Sequence, residues 1–187
     1  MSIATIILIV VIVIVVLLVL WYFATYNSLV KLRNRKDDQW SQIDVQLKRR
    51  ADLIPNLIET VKGYTKHEKT TLEDVVKARN SFVTAKSPED EMKASGEMTQ
   101  ALNKLFALAE SYPDLKANEN FLGLQGDLKD TEDKISAARQ FYNDTVLTYN
   151  NKVQMVPSNI VASMAGFKTA VFFEANDEER KNVKVEF

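Results

Sequence analysis

A single histidine occurs in the 187-residue sequence, His67, and it stands directly before Glu68. His-Glu opens the zinc signature in which a second His follows one helical turn later, so that both imidazoles face one metal. Position 71 is Thr, and no other imidazole exists to complete the set. His67 therefore reads as a structural polar residue near a helix bend. If it acted in catalysis, Glu68 or Glu73 would be its acid–base partner. Carboxylates cluster at Asp37-Asp38, Glu73-Asp74, Glu89-Asp90-Glu91, Glu132-Asp133 and Glu178-Glu179. Di-iron bundles use Glu-x-x-His on facing helices, and this sequence has no such motif. Most of the carboxylates fall off the apolar stripes described below and read as solvated faces. With no cysteine, thiolate nucleophiles, disulfides and Cys-based zinc sites are excluded as well. No Gly-rich phosphate loop is present. The expectation is a protein that is not an enzyme, with no metal and no cofactor.

Basic charge is distributed more informatively. Residues 31–50 hold Lys31, Arg33, Arg35, Lys36, Lys48, Arg49 and Arg50 against Asp37, Asp38 and Asp44, seven cations less three anions, a net of +4. The chain beyond carries 17 basic and 22 acidic side chains, a net of −5, and the whole is −1. That balance gives no reason to expect nucleic acid as a partner. Lys31, Arg33, Arg35 and Lys36 suit anionic headgroups, each worth about 1 kcal/mol close to a membrane surface. Lys48-Arg49-Arg50 lies about 40 Å along a straight helix from Phe23, beyond headgroup reach. It reads either as a docking patch for an acidic partner or as an internal ion pair with acidic helices.

The elements that would position these groups begin with a span. No charged side chain precedes Lys31, and Ile3–Phe23 is an almost unbroken apolar run. Seventeen of its 21 residues are Ile, Leu, Val or Phe. As a helix the run covers about 31 Å, matching a hydrocarbon core of about 30 Å. Insertion of those seventeen contributes on the order of −5 to −10 kcal/mol. Trp21 and Tyr22 sit at the exit, where amphipathic rings favour the headgroup level. The run is too long, and its exit too bulky, for a cleaved leader. The four cations after it place the remainder of the chain in the cytoplasm by the positive-inside rule, with a two-residue tail outside.

After the span the spacing of apolar residues is helical. Phe121, Leu124, Leu128, Thr131, Ile135, Ala138, Tyr142, Thr145, Tyr149, Val153 and Val156 step by three and four, the seam of a long packed helix. Four segments follow from such stripes. The first runs from Tyr26 to Ile54 with Trp40, Ile43, Leu47 and Ile54 facing the core. The second runs from Asn56 to Lys86 with Leu57, Val61, Tyr64, Leu72, Val75 and Phe82. Pro55 between them is either a turn or a kink in one very long helix. The third opens with Ser87 as N-cap and Pro88 at the first helical position, runs to Tyr112 and is ended by Pro113. The fourth is capped by Asn118 and reaches about Asn151. Residues 160–165 read as a short helix ending at Gly166, Phe167 to Phe173 as a hydrophobic clamp, and Val183 to Phe187 as a frayed or extended strip. The organisation is an anchor over 1–25, a helical bundle over 26–156 and a C-terminal segment over 157–187 packed on it.

The linear order of several motifs closely resembles the LemA family of bacterial membrane proteins. These are Tyr26-Asn27-Ser28-Leu29-Val30, the stretch Trp40 to Arg50, Asp52-Leu53-Ile54-Pro55-Asn56-Leu57, Glu59 to Tyr64, His67-Glu68, Ala78-Arg79, Pro157-Ser158-Asn159, Gly166-Phe167 and Phe172-Phe173-Glu174. The resemblance covers essentially the whole chain. It implies an all-α protein, a single N-terminal transmembrane helix followed by a four-helix antiparallel bundle of long helices, with no established enzymatic activity. Genes of the family often neighbour those of membrane proteins, and one relative serves in building a bacterial organelle membrane. The function expected is a membrane-anchored scaffold or adaptor presenting a helical bundle to other membrane or membrane-associated proteins. The alternative is a membrane-organising protein that uses its basic juxtamembrane helix, or its Phe-rich C-terminal segment, on lipid.

Overall fold

The structure is a computed structural model, and it describes residues 2–65 and 68–174. His67, the Glu178-Glu179 pair and Val183 to Phe187 lie outside those residues. Among the described residues six helices follow one another: α1 (Ile3–Lys62), α2 (Lys69–Val83), α3 (Pro88–Ala109), α4 (Pro113–Lys116), α5 (Glu119–Gln154) and α6 (Ser158–Met164). No strand occurs among the described residues, so the all-α expectation holds. The chain divides into two compact units, one within Met1–Gln39 and Tyr142–Phe172, the other within Trp40–Phe141 and Phe173–Phe187. Helices α1 and α5 contribute to both.

α1 resolves the alternative at Pro55: the helix runs through it without a turn and stops only at Lys62. Proline inside a helix removes the N–H that would bond the carbonyl four residues back, here that of Ala51. Arg79 of α2 takes that place, its Nε–H donating to the Ala51 carbonyl at 2.8 Å. The second segment is therefore split between the end of α1 and the separate α2. Tyr64, read as a seam residue, falls in the intervening turn, is exposed, and accepts a hydrogen bond from Asn118 Nδ2 at 2.8 Å.

The second unit buries one stripe from each of four helices. These are Ile43, Leu47, Ile54, Leu57 and Val61 of α1; Leu72, Val75 and Phe82 of α2; Met98, Leu102 and Leu105 of α3; and Phe121, Leu128 and Ile135 of α5. α2 packs against α3, the two joined by residues 84–87. Ser87 caps α3 as expected, its Oγ accepting from the Asp90 N–H at 3.2 Å, with Pro88 at the first position. Three carboxylates in that first turn complement the helix dipole. Pro113 is a correction: α3 ends earlier, at Ala109, and Pro113 opens the four-residue α4 rather than closing a helix. A fixed φ suits proline to a helix start, where its missing N–H would have had no partner. Asn118 caps α5 as expected, its Oδ1 accepting from the Phe121 N–H at 3.0 Å. Trp40 is half-buried, its ring centroid 6.1 Å from that of Phe173.

The first unit is smaller. Leu29, Tyr149, Val161, Ala162 and Phe167 form its buried cluster, with Trp21, Tyr22, Leu32, Val153 and Ala165 packed against it. α6 ends in a Schellman turn. Gly166 takes φ +73°, the Phe167 N–H reaches the Ala162 carbonyl at 2.9 Å, and the Gly166 N–H reaches that of Ser163. Glycine adopts that left-handed geometry without a Cβ penalty. The chain then runs extended along α5. Tyr149 Oη donates to the Lys168 carbonyl at 2.8 Å and Tyr142 Oη to that of Val171 at 3.0 Å. The Asn150 side chain both donates to the Ala170 carbonyl and accepts from its N–H. The expected hydrophobic clamp is narrower than the sequence suggested: Phe167 and Phe173 are buried, while Val171 and Phe172 are exposed.

Candidate functional site

Two groups of candidate residues sit on α1. The first follows the apolar stretch. Every large apolar side chain from Ile3 to Leu20 is exposed, so this surface has no partner among the described residues, and its length and hydropathy suit a membrane span. Trp21 and Tyr22 come next. Both are half-buried against the Leu29 cluster, so they serve the protein's own packing at the exit of the span. Arg33 lies 5.3 Å above the ring of Phe167, whose other neighbour is Tyr26 with ring centroids 5.8 Å apart. A cation over an aromatic face is worth about 0.5–1 kcal/mol at an exposed site, and it fixes the direction in which Arg33 points. Lys36 pairs with Asp37 at 2.8 Å. Lys31 and Arg35 are exposed. The Tyr149 hydroxyl is pushed up by burial, an effect Arg33 opposes and Asp37 reinforces.

The second group is Lys48, Arg49 and Arg50, and the structure separates its members. Lys48 is exposed and bonds Asp44 one turn away at 2.6 Å. Arg49 is also exposed and stands 3.9 Å from Asp127 of α5. Arg50 is 1% exposed. Its Nη1 donates to Glu132 Oε2 at 2.5 Å and to Thr99 Oγ1 at 3.0 Å; its Nη2 donates to Ser95 Oγ at 2.6 Å and to the Ser95 carbonyl at 3.1 Å. One guanidinium thus joins α1, α3 and α5. Of the two readings of the triplet, Arg50 takes the internal ion pair, and Lys48 and Arg49 are left as its surface part. Glu132, read as part of a solvated pair, is half-buried through this contact.

The partners Ser95, Thr99 and Glu132 escaped the sequence reading, although a signal existed. Position 50 falls on the stripe of Ile43, Leu47 and Ile54, where a cation must find anions or carbonyls inside. Beside this node a cleft of about 550 Å³ opens, lined by Arg50, Leu102, Phe106, Leu122, Gly126 and Lys129 among others. Two carboxylates, Asp44 of α1 and Glu91 of α3, repel one another across those helices. Asp44 Oδ1 and Glu91 Oε2 are both buried without a hydrogen-bond partner. The Glu91 carboxyl is held above the ordinary range by burial and then by Asp44, against the pull of Lys48. Among the described residues no three His, Cys, Asp or Glu side chains gather as a metal would require.

An apolar span that continues without a break into packed helices, one of them pinned by a buried guanidinium, defines a membrane-associated, all-helical protein. The chain belongs to the LemA family, whose sequence model matches residues 39–187. It is similar to Protein LemA of Metamycoplasma hominis, at 28% identity over 87% of this chain and 74% of that protein. It is also similar to Magnetosome protein MamQ 2 of Paramagnetospirillum magneticum, at 25% identity over 80% of this chain, and to Magnetosome protein MamQ of Magnetospirillum gryphiswaldense, at 24% over 79%. The chain spans 64% of the length of each of these two magnetosome proteins.

Proposed function

We propose that the protein is a non-enzymatic scaffold tethered to the cell membrane, offering its helices to other membrane or membrane-associated proteins. The observation that carries this reading is the continuity of α1. The helix whose first eighteen residues suit lipid also supplies Leu29 to one core and Ile43, Leu47 and Ile54 to the other. A tether and the helices it holds are then a single element. Lys48 and Arg49, exposed on α1 above the buried Arg50, are the cations a partner's acidic surface would meet. Lys31, Arg33, Arg35 and Lys36 favour a cytoplasmic location for the helices.

Crosslinking in cells followed by mass spectrometry tests the scaffold. The full chain is expected to capture protein neighbours that an anchor-only control does not, and Lys48→Glu with Arg49→Glu to lower that yield. Recovery of nothing above the control refutes it. Because the sequence has no cysteine, one cysteine introduced at exposed Ala137 reports the side of the membrane through a membrane-impermeant thiol reagent. The second reading is a membrane-organising role using the basic juxtamembrane stretch. The exposure of Lys31 and Arg35 favours it, and so does the resemblance to proteins named for the magnetosome. Lys31→Glu with Arg35→Glu would then weaken flotation with anionic vesicles.

A further inference from the structure

From Val153 to Phe167 the sequence contains no charged side chain, and a lysine stands at either side, Lys152 and Lys168. This window holds the end of α5, the turn after it and all of α6. Its inner face is accounted for: Ser158, Val161 and Ala162 are buried, the last two in the cluster with Leu29, Tyr149 and Phe167. Its outer face is not. Met155, Val156, Ile160 and Met164 are 62%, 78%, 54% and 72% exposed. Ile160 and Met164 stand four apart in α6, which puts them on one side of it, and Met155 and Val156 lie in the turn just before that helix. A surface helix in water carries polar residues there, and a contiguous exposed apolar patch marks a contact with something else.

The level of this patch along α1 is fixed by the shared core. Val161, Ala162 and Ala165 pack in the same cluster as Trp21 and Tyr22, the two residues that directly follow the exposed apolar stretch. Trp21 and Leu29 are separated by about 12 Å of helix, and each headgroup layer is about 5–8 Å thick. α6 therefore packs against the turns of α1 that leave the hydrocarbon.

We propose that residues 153–167 make a second contact with the bilayer that α1 crosses. The outer face of α6 and the turn before it sit at the boundary of headgroups and acyl chains. Lys152 and Lys168 keep their apolar stems beside the patch and extend their ammonium groups toward lipid phosphates. This rests on the reading of α1 as a span. Lipid is the chosen occupant for two reasons. The inner face of α6 shares its buried cluster with Trp21 and Tyr22, which directly follow the surface already assigned to lipid, so the patch lies on an element packed at the end of that surface. Its charge pattern, a neutral centre with cations at both margins, also fits an anionic interface. This contact is separate from the basic stretch of α1.

Site-directed spin labelling of the full-length chain tests it. Single cysteines replace Ile160 and Met164, with Ile12→Cys as the reference inside lipid and Ala137→Cys as the reference in water. The chain is reconstituted in vesicles of phosphatidylcholine and phosphatidylglycerol, and collision with oxygen is compared with collision with a water-soluble nickel chelate. Labels at 160 and 164 are expected to meet oxygen freely and the chelate several-fold less than the label at 137. If they match residue 137 while residue 12 is in lipid, the second contact is wrong and the span stands. If residue 12 is itself aqueous, both fall together. If labels at 160 and 164 are shielded from both reagents, the patch is covered by protein and the proposal is equally overturned.

Discussion

Pro55 and Arg79 form a pair whose coupling can be measured. The Ala51 carbonyl belongs to a residue only 2% exposed, and the donor that would normally reach it, the N–H of position 55, does not exist in proline. The Arg79 Nε–H replaces it at 2.8 Å. A hydrogen bond from a charged donor contributes about 1.5–3 kcal/mol, and a buried acceptor left without one costs a similar amount. Arg79→Met keeps most of the apolar stem and removes the donor, so a loss of about 2 kcal/mol is expected. In a Pro55→Ala background the new N–H serves the same carbonyl within α1. There Arg79→Met is expected to cost less than about 0.5 kcal/mol, a coupling of about 1.5 kcal/mol in the double-mutant cycle. Pro55→Ala alone should be stabilising, by up to about 3 kcal/mol from helix propensity. Urea unfolding of the detergent-solubilised full chain gives these values, read by Trp40 fluorescence in a Trp21→Phe background. An equal loss in both backgrounds would falsify the idea that Arg79 stands in for the missing amide.

Three further expectations follow from single contacts. Glu132→Ala leaves the Arg50 guanidinium buried without its carboxylate, whereas Arg50→Met leaves Glu132 with access to solvent. Breaking such a pair from the exposed side strands the buried charge, so Glu132→Ala should destabilise by about 2–3 kcal/mol and more than Arg50→Met in the same urea experiment. The reverse order refutes it. Glu91 titrates above the unfolded carboxyl value of about 4.3, so the folded state favours its protonated form and loses stability as pH rises through the folded pKa. Glu91→Gln should therefore raise the melting temperature at pH 7 and lose that advantage by about pH 4; a gain that persists at pH 4 removes the argument. Gly166→Ala meets no atom within 4 Å of the new Cβ but inherits a φ of +73°. It should destabilise the α6 turn by about 1–2 kcal/mol, and thermal melts that show no change contradict the assignment.

Much of this architecture was legible in the sequence because its signals are local. The charge-free run, the Ser87-Pro88 start, the Asn118 cap and the Gly166 stop each depend on neighbours within a few positions. What escaped depends on distant partners. Whether Pro55 turns or is carried through rests on Arg79, 24 residues later, which supplies the absent amide's bond. Arg50 lies on an apolar stripe, so a charge inside was foreseeable, but Ser95, Thr99 and Glu132 come from two other helices and no local spacing marks them. Pro113 was misplaced because proline ends one helix and begins the next with equal ease. Among Phe167 to Phe173, composition announced a clamp, yet which of these side chains is buried depends on the distant residues of α1 and α5 that the segment packs against, and only Phe167 and Phe173 meet them deeply.

The stretch after Gly166 has a consequence for how copies of the protein coexist. Extended chain with apolar residues offers a row of amides and carbonyls on which another molecule's strand can assemble. Here the groups that face α5 are taken one by one. Tyr149 occupies the Lys168 carbonyl, Tyr142 that of Val171, and Asn150 both polar groups of Ala170. Helix side chains thereby close the α5-facing edge of this segment to a neighbouring strand, even though Val171 and Phe172 remain open to solvent, and sheet-like pairing is blunted from that side.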